Sequence, residues 1–330
     1  MSFSTDIRHL LQDDFLAFER LYNETLRSDS VLLGEALEYV RSHTGKQLRP
    51  QLVLLAAKIC HGVTDKTLRT ALAMELLHTA SLIHDDVVDD SPMRRGMESL
   101  QVRWTNKVAV LVGDYLLSLV MQAIASLRNT RILSIVSDLS AMLASGELLQ
   151  IDASSSMWIT EERYNDIISR KTAGLFAACM EAGAESSGAT MKQTTALRQF
   201  GWYLGMCFQL KDDVLDYSDS EELGKPTMND IRDGKATLPL LVAVSRAPKQ
   251  EADSMRELAQ SMASSQPIMP LSEAEQTIKS FIMRYDGVRY AYQQMHKHKE
   301  KAEQCLNIFR DSNYKSALIQ MLDYSINRVY

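Results

Sequence analysis

Two clusters of aspartates have the residue types and the spacing of a metal-binding site. The first contains Asp85, Asp86 and Asp89 and follows an apolar run. Asp85 and Asp89 are four residues apart, so on a helix their carboxylates share one face, with Asp86 three residues before Asp89. Ser91-Pro92 then predicts that this helix ends. The helix macrodipole disfavours each carboxylate at such an end by about 0.3–1 kcal/mol, so we expect a cation to compensate.

The second cluster repeats this pattern with Asp212, Asp213 and Asp216, again at the end of an apolar segment. Carboxylate oxygens are hard ligands that suit Mg²⁺, which takes one or two carboxylates and fills its other positions with water and phosphate. For a single DDxxD pattern a solvated acidic surface is the simpler interpretation. Two copies, each closing an apolar helix, favour Mg²⁺ bound around a diphosphate.

Basic residues lie where a diphosphate site would need them. Lys46 and Arg49 stand in a turn that leads into a predicted helix N-terminus, which is a natural anion site. His78 lies two helical turns before Asp85 on the same face, which favours a diphosphate contact over an ordinary core histidine. The other candidates flank the acidic clusters or lie in a predicted helical segment: Arg94, Arg95, Lys171, Lys225 and Lys235.

Composition limits the class of protein. The 330 residues suit one large domain or two ordinary ones, and 14 Gly with 7 Pro favour long helices over a β-rich fold. A net charge of -6 argues against a general nucleic-acid binder. The four cysteines are far apart in apolar stretches, which predicts reduced thiols in a cytoplasmic protein. No run of about 18 apolar residues was evident, so no membrane-spanning segment is expected.

Apolar residues recur at helical spacing along nearly the whole chain, which predicts an all-α protein with one domain over residues 1–330. Pro50 is expected at the first position of a helix, and Gly62 where that helix ends. Three segments are expected to be loops: about 153–160, about 217–235 and the Ser/Pro-containing stretch of about 247–271.

Seven motifs together resemble the trans-prenyltransferases, the polyprenyl diphosphate synthases, of the long-chain type. They are GKQLRP (45–50), MELLHTASLIHDDVVDDSPMRRG (74–96), GDYLL (113–117), GELLQ (146–150), RKTAGLF (170–176), GMCFQLKDDVLD (205–216) and GKPTMNDIRDGKATLPL (224–240). The resemblance implies the isoprenoid synthase fold, a bundle of long helices around a central cavity, usually in a homodimer. It also implies that isopentenyl diphosphate is joined head to tail to an allylic diphosphate, giving a linear trans-polyprenyl diphosphate.

The resemblance assigns a role to each candidate residue. Asp85, Asp89 and Asp212 would bind Mg²⁺, supported by Asp86, Asp213 and Asp216. The allylic diphosphate would be held by Arg94, Lys171, Lys225 and Lys235, and isopentenyl diphosphate by Lys46, Arg49, His78 and Arg95. Thr172 and Gln209 would lie near the developing carbocation. One departure is Met228, where many relatives have Gly, a residue with more backbone freedom.

Product length is predicted from the residues before Asp85. Short-chain relatives often have aromatic rings at the fourth and fifth positions before this aspartate, where this chain has the small residues Ser81 and Ala80. Leu77 and Met74 follow further down, and the apolar segment 131–143 could supply a floor. We therefore expect a product longer than C20, of C30 or more. The alternative is that small residues here only permit close helix packing.

Other functions share parts of this pattern. A geranylgeranyl or farnesyl diphosphate synthase would keep the motifs and make a shorter product. A terpene cyclase would normally lack the second DDxxD and the GKQLRP type of motif, and a non-catalytic subunit of a heteromeric synthase usually has eroded acidic motifs. Peripheral membrane contact for product release stays open.

Overall fold

The computed structural model describes residues 3–94, 96–218, 227–264 and 268–328. The helical class is confirmed, because the described strands are a single two-stranded hairpin. The chain divides into two compact units. Unit 1 comprises Met1–Ser140, Phe176–Gly201 and Leu306–Leu318, and unit 2 comprises Ala141–Leu175, Trp202–Cys305 and Ile319–Tyr330. The prediction of a single domain over 1–330 stays a prediction.

The elements of the first half of the chain, in order, are α1 (Phe3–Leu10), α2 (Gln12–Thr25), α3 (Val31–Ser42), α4 (Leu48–Cys60), α5 (Asp65–Val88), β1 (Met93–Arg94), β2 (Met97–Glu98), α6 (Leu100–Arg103), α7 (Asn106–Leu127) and α8 (Thr130–Ser154). Those of the second half are α9 (Glu161–Ile168), a π-helical turn (Ser169–Ala173), α10 (Gly174–Ser186), α11 (Met191–Asp216), α12 (Asn229–Arg232), α13 (Leu238–Arg246), α14 (Lys249–Ala263), α15 (Leu271–Arg284), α16 (Gly287–Cys305), a 3₁₀ turn (Leu306–Ile308) and α17 (Asn313–Asn327).

Helix α5 is the centre of unit 1. It packs against α2, α4 and α7, and every residue from 71 to 78 is buried, as expected for a helix surrounded on all sides. Its N-terminus is fixed by a capping box, in which the Thr64 side chain accepts from the backbone N–H of Thr67 and the Thr67 hydroxyl accepts from that of Thr64. A buried, capped helix is a rigid support for the aspartates at its other end.

Helix α4 begins slightly earlier than the sequence indicated. Its first residue is Leu48, so Pro50 is the third helical residue and not the first. Leu48 follows Gln47, whose left-handed backbone (φ 49) turns the chain into the helix. Gly62 lies just past the C-terminus as predicted, with φ 99 and its N–H donating to the carbonyl of Ala57.

In unit 2, helix α13 packs against α14, α15 and α16. Helices α13 and α16 approach closely at Gly287, where a Cβ atom would lie 2.1 Å from the carbonyl oxygen of Pro239. Only glycine allows α16 to begin at this distance from α13. The packing holds the segment before α13, which carries the last basic motif.

The prediction that residues 247–271 form a loop was wrong, because α14 occupies Lys249–Ala263. Its buried residues Met255, Leu258 and Met262 recur at helical spacing. The prolines at 248 and 270 are typical of loops, but here both stand immediately before helices.

Two described helices, α7 and α8, are long and apolar enough to cross a membrane by length and composition alone. Neither helix is an uninterrupted apolar run, because charged residues such as Asp114 and Asp138 divide them. Of their most apolar stretches, 39% of α7 and 22% of α8 is buried, and α7 packs along α5. Buried core helices can meet the same criteria, so the expected absence of a membrane span stays a prediction.

Candidate active site

The first acidic motif (residues 85–89) lies at the C-terminus of α5, as predicted. The helix ends at Val88, and the N–H of Asp89 donates to the carbonyl of Asp85 at 2.8 Å. Asp85 is half-buried and Asp89 is exposed. The side chain of Asp86, by contrast, is only 7% exposed and accepts a hydrogen bond of 2.8 Å from Nε of Arg94. The motif therefore combines one internally paired carboxylate with two that solvent can reach.

His84 packs against α7 and thereby fixes the last turns of α5. Its Nε2 is 3.2 Å from the carbonyl oxygen of Val110 and 3.5 Å from Oδ1 of Asp114. A Cβ atom at Gly113 would lie 2.2 Å from the same nitrogen, which explains the glycine of the GDYLL motif. No motif indicated this role for His84, although a glycine inside an apolar helix signals a close approach of this kind.

The GKQLRP loop is held by side chains on either side. The left-handed residue Gln47 is 7% exposed, and its Oε1 accepts a hydrogen bond of 3.3 Å from Arg8 of α1. The amide of Gln51 donates to the carbonyl of Lys46 at 2.8 Å. The Lys46 side chain remains exposed, and the Arg49 guanidinium lies over the ring of Phe176 at 5.3 Å.

In unit 2, the second acidic motif (residues 212–216) ends α11 as predicted. Asp213 is 2% exposed and accepts hydrogen bonds from the Tyr164 hydroxyl and, at 2.8 Å, from the Gln209 amide. Gln209 in turn accepts from the Thr172 hydroxyl at 2.7 Å. Burial raises the pKa of Asp213 to about 7, although both hydrogen bonds lower it. The candidates Thr172 and Gln209 are therefore in direct contact, and Tyr164, which no sequence motif indicated, binds the same aspartate as Gln209.

Asp216 caps the short helix α12. Its Oδ1 and Oδ2 each accept a hydrogen bond of 3.1 Å, from the backbone N–H groups of Asn229 and Asp230. Met228 precedes them with φ 61 and ψ 24, in the left-handed region, and its own N–H donates to the carbonyl of Asp216 at 2.8 Å. Glycine, which the family resemblance leads us to expect here, adopts this conformation without strain, whereas methionine is strained. Burial raises the pKa of Asp216.

Lys171 lies within the π-helical turn and not in a regular α-helix. Its ammonium group pairs with the Glu147 carboxylate and donates to Oε1 of Gln150 at 2.9 Å. Both partners belong to the GELLQ motif. A Cβ atom at Gly146 would lie 3.1 Å from Cγ of Lys171, so the glycine of that motif lets the turn approach α8. π-Helical turns are frequent at functional sites.

Lys235 lines a cavity of about 90 Å³ in unit 2, together with Gln209, Asp213, Asp230 and Tyr164. Its backbone N–H donates to the carbonyl of Asp230 at 2.7 Å, which fixes the start of the GKATLP segment. Burial raises the pKa of Asp230 well above its ordinary value. The predicted ligands Arg95 and Lys225 lie outside the described residues.

The candidate chain-length residues all lie on α5. Met74, Leu77 and Ala80 are buried, and Ser81 is half-buried. Met74, Leu77 and Ser81 recur on the helix face that carries Asp85 and His78. Ala80 lies about 100° round the helix from Ser81, on the face where His84 contacts α7. Their roles in chain length stay predictions.

The donor set suits a hard cation. Among the described residues, no three His, Cys, Asp or Glu side chains converge into a complete protein-only metal site. Mg²⁺ does not need one, because it keeps several waters and takes phosphate oxygens from its substrate. The accessible carboxylates of Asp85, Asp89 and Asp212 fit that requirement.

Comparison with known proteins agrees with this geometry. The polyprenyl synthetase family model matches residues 30–271. The octaprenyl diphosphate synthase of Haemophilus influenzae is 35% identical over 98% of this chain and 97% of that protein. The crystal structure of a decaprenyl diphosphate synthase from Rhodobacter capsulatus has a TM-score of 0.91 and 31% identity, covering 99% of both chains. That of a polyprenyl synthase from Caulobacter crescentus, complexed with calcium and isoprenyl diphosphate, has a TM-score of 0.90 and 32% identity over 99% of this chain and 98% of that one.

The chain belongs to the polyprenyl synthetase family and has the isoprenoid synthase fold. It is a prenyltransferase that elongates trans-prenyl diphosphates head to tail, and most of its relatives are long-chain synthases. Related structures hold a divalent metal, calcium, together with the diphosphate.

Proposed function

We propose that this enzyme condenses isopentenyl diphosphate with an allylic diphosphate in the presence of Mg²⁺ to make a linear product of C30 or more. The observation that carries the site assignment is common to both acidic motifs. In each, the second aspartate is buried on an internal donor, Arg94 for Asp86 and Tyr164 for Asp213, while the first remains accessible. Internal pairing of the second aspartate fixes the helix end, and the carboxylates beside it that solvent can reach would bind metal.

Mg²⁺ held by Asp85 and Asp89, and Mg²⁺ held by Asp212, would stabilise the charge that develops on a departing diphosphate. Lys171 and Lys235 would add positive charge on the same leaving group. Lys171 is suited to this because Glu147 and Gln150 hold its ammonium group in one place. Charge stabilisation by fixed groups needs no reorganisation during the reaction.

The allylic cation is then attacked by the double bond of isopentenyl diphosphate, and a proton is lost to the released diphosphate. Thr172 and Gln209 would face the cation with oxygen dipoles that their mutual hydrogen bond orients. Lys46, Arg49 and His78 would hold isopentenyl diphosphate at the start of α4. The fixed backbone at Gln47 supports that role, because it presets the turn that carries Lys46 and Arg49.

The length assignment rests on the small side chain of Ser81, on the α5 face that carries Asp85. If the growing chain runs along Leu77 and Met74, an aromatic ring at position 81 would stop it. We place the enzyme in the cytoplasm, since all four cysteines are free thiols. Burial raises the pKa of Cys60 to about 11 and those of Cys179 and Cys207 to about 12, which keeps these thiols protonated.

We also propose a homodimer, as the family resemblance implies. Helix α7 supports this assignment, because Val110, Leu111 and Met121 are large apolar residues on its exposed side, and Met121 is 67% exposed. Met121→Glu should lower the sedimentation coefficient to that of a monomer. An unchanged coefficient in this variant would contradict the assignment of α7 to the interface.

A product assay tests the function. Purified enzyme is incubated with Mg²⁺, labelled isopentenyl diphosphate and farnesyl diphosphate, and the dephosphorylated products are separated by length. We expect a ladder that ends at C30 or above and disappears with EDTA. A product that stops at C15 or C20, including with shorter primers, would make this a short-chain synthase. No incorporation with any allylic primer would indicate a non-catalytic subunit.

A further inference from the structure

An arginine near the end of the chain contacts the second acidic motif. Arg328 directly follows α17, and its backbone N–H continues the helix by donating to the carbonyl of Tyr324 at 2.9 Å. Its side chain is only 9% exposed, although it carries a full charge. A buried guanidinium needs several partners to offset the loss of water.

Those partners lie one helical turn apart on α11. One terminal nitrogen of Arg328 is 2.9 Å from Oδ1 of Asp212 and also donates to the carbonyl of Phe208 at 2.9 Å. The guanidinium carbon lies 4.1 Å from the centre of the Phe208 ring. The backbone carbonyl and the ring fix the guanidinium independently of Asp212, so the arginine can hold the carboxylate in place.

Asp212 is the accessible aspartate of its motif, with 39% of its side chain exposed. Asp213 and Asp216 are held by other groups, the first by Tyr164 and Gln209 and the second by backbone N–H groups. Arg328 would thus hold the Asp212 carboxylate in place, as those hydrogen-bond donors hold Asp213 and Asp216. It also supplies positive charge to Asp212, whose carboxylate repels that of Asp213.

We propose that Arg328 is a positioning residue for the metal, which orients the Asp212 carboxylate by binding Oδ1 and so presents the group to Mg²⁺. The proposal rests on the assignment of Asp212 as a metal ligand in the proposed function. Hydrogen-bonded partners of metal ligands typically change metal affinity or activity by about 10- to 100-fold when they are removed. Arg328 acts through Asp212 and does not itself touch the reacting atoms.

The test measures metal binding directly. Mn²⁺, a spectroscopic substitute for Mg²⁺, is titrated into the full-length enzyme without substrate, and free Mn²⁺ is followed by electron paramagnetic resonance. Arg328→Gln should weaken Mn²⁺ binding about 10-fold or more and raise the Mg²⁺ concentration for half-maximal activity by a similar factor. Arg328→Lys keeps the charge and should recover part of the affinity. Exposed Arg310 provides the matched control, and Arg310→Gln should leave both values unchanged.

Several outcomes would overturn the proposal. Unchanged or tighter Mn²⁺ binding in a folded Arg328→Gln enzyme would do so, as would a rise only in the KM for isopentenyl diphosphate. If Arg328→Gln does not fold, Arg328→Lys decides, because an ammonium cannot both stack on Phe208 and hold two oxygens as the guanidinium does. Wild-type Mn²⁺ affinity in that variant would refute the positioning role. Mn²⁺ binding requires no prenyl product, so failure of the proposed reaction is detected separately in the product assay.

Discussion

Because Met228 has a left-handed backbone, we predict that glycine at this position is more stable than alanine, the reverse of the usual order. The Met228 side chain is 0% exposed, so Met228→Ala should lower the free energy of unfolding by about 2–5 kcal/mol through the lost packing. Alanine keeps the strain of φ 61, which is worth about 1–2 kcal/mol, whereas glycine relieves it. Against this gain, glycine lowers the free energy of unfolding by about 0.4–1 kcal/mol relative to alanine, because its unfolded chain has more entropy. Met228→Gly should therefore be more stable than Met228→Ala, by about 0.5–1 kcal/mol.

Met255 provides the matched control, because it is also a buried methionine of unit 2 but lies within the regular helix α14. There the glycine variant should be less stable than the alanine variant by about 0.5–1 kcal/mol. The four variants are compared by urea unfolding followed by far-UV circular dichroism, using the transition midpoints and slopes. If glycine is less stable than alanine at 228 by the same margin as at 255, the left-handed conformation is wrong.

Three further predictions concern the site. Ser81→Phe should shorten the product, since its ring would stand one turn from Asp85. Products are separated by length after dephosphorylation. An unchanged length would contradict the assignment of this α5 face to chain-length control. Gly113→Ala should lower the free energy of unfolding by about 1–3 kcal/mol, because its Cβ would lie 2.2 Å from His84 Nε2. A urea midpoint equal to that of the wild type would mean that the His84 ring lies elsewhere. Burial raises the pKa of Asp213 to about 7, so between about pH 4 and 7 the native state binds more protons than the unfolded state. The free energy of unfolding should therefore fall as pH rises through that window. Asp213→Asn should reduce this slope in metal-free buffer, and an equal slope in both proteins would count against the buried carboxyl.

Local patterns predicted the helical class and the helix ends that carry the acidic motifs. Both features depend on residues close in sequence, namely apolar spacing and a cluster of aspartates before a loop. The departure at Met228 was also visible, because the family resemblance showed where glycine is usual. The left-handed backbone of this methionine does not follow from the sequence pattern.

The contacts that orient the aspartates were not predicted. Tyr164 lies 49 residues from Asp213, and Arg328 lies 120 residues from Phe208, so no periodicity connects them. Lys171 was a candidate from its motif, but nothing in the sequence indicated that Glu147 would be its partner. Side-chain pairs of this kind depend on which helices pack together, and apolar spacing alone does not determine that.

The π-helical turn also makes the protein sensitive to the deletion of a single residue. It takes one residue more than an α-helical turn, and each residue rotates a helix by about 100°. The buried residues of α9 and those of α10 therefore follow two different angular registers, joined at Ser169–Ala173. Deleting one residue there would merge the registers and turn Lys171 away from Glu147, even if every helix still formed. The length of this five-residue segment is thus as tightly constrained as the identity of its lysine.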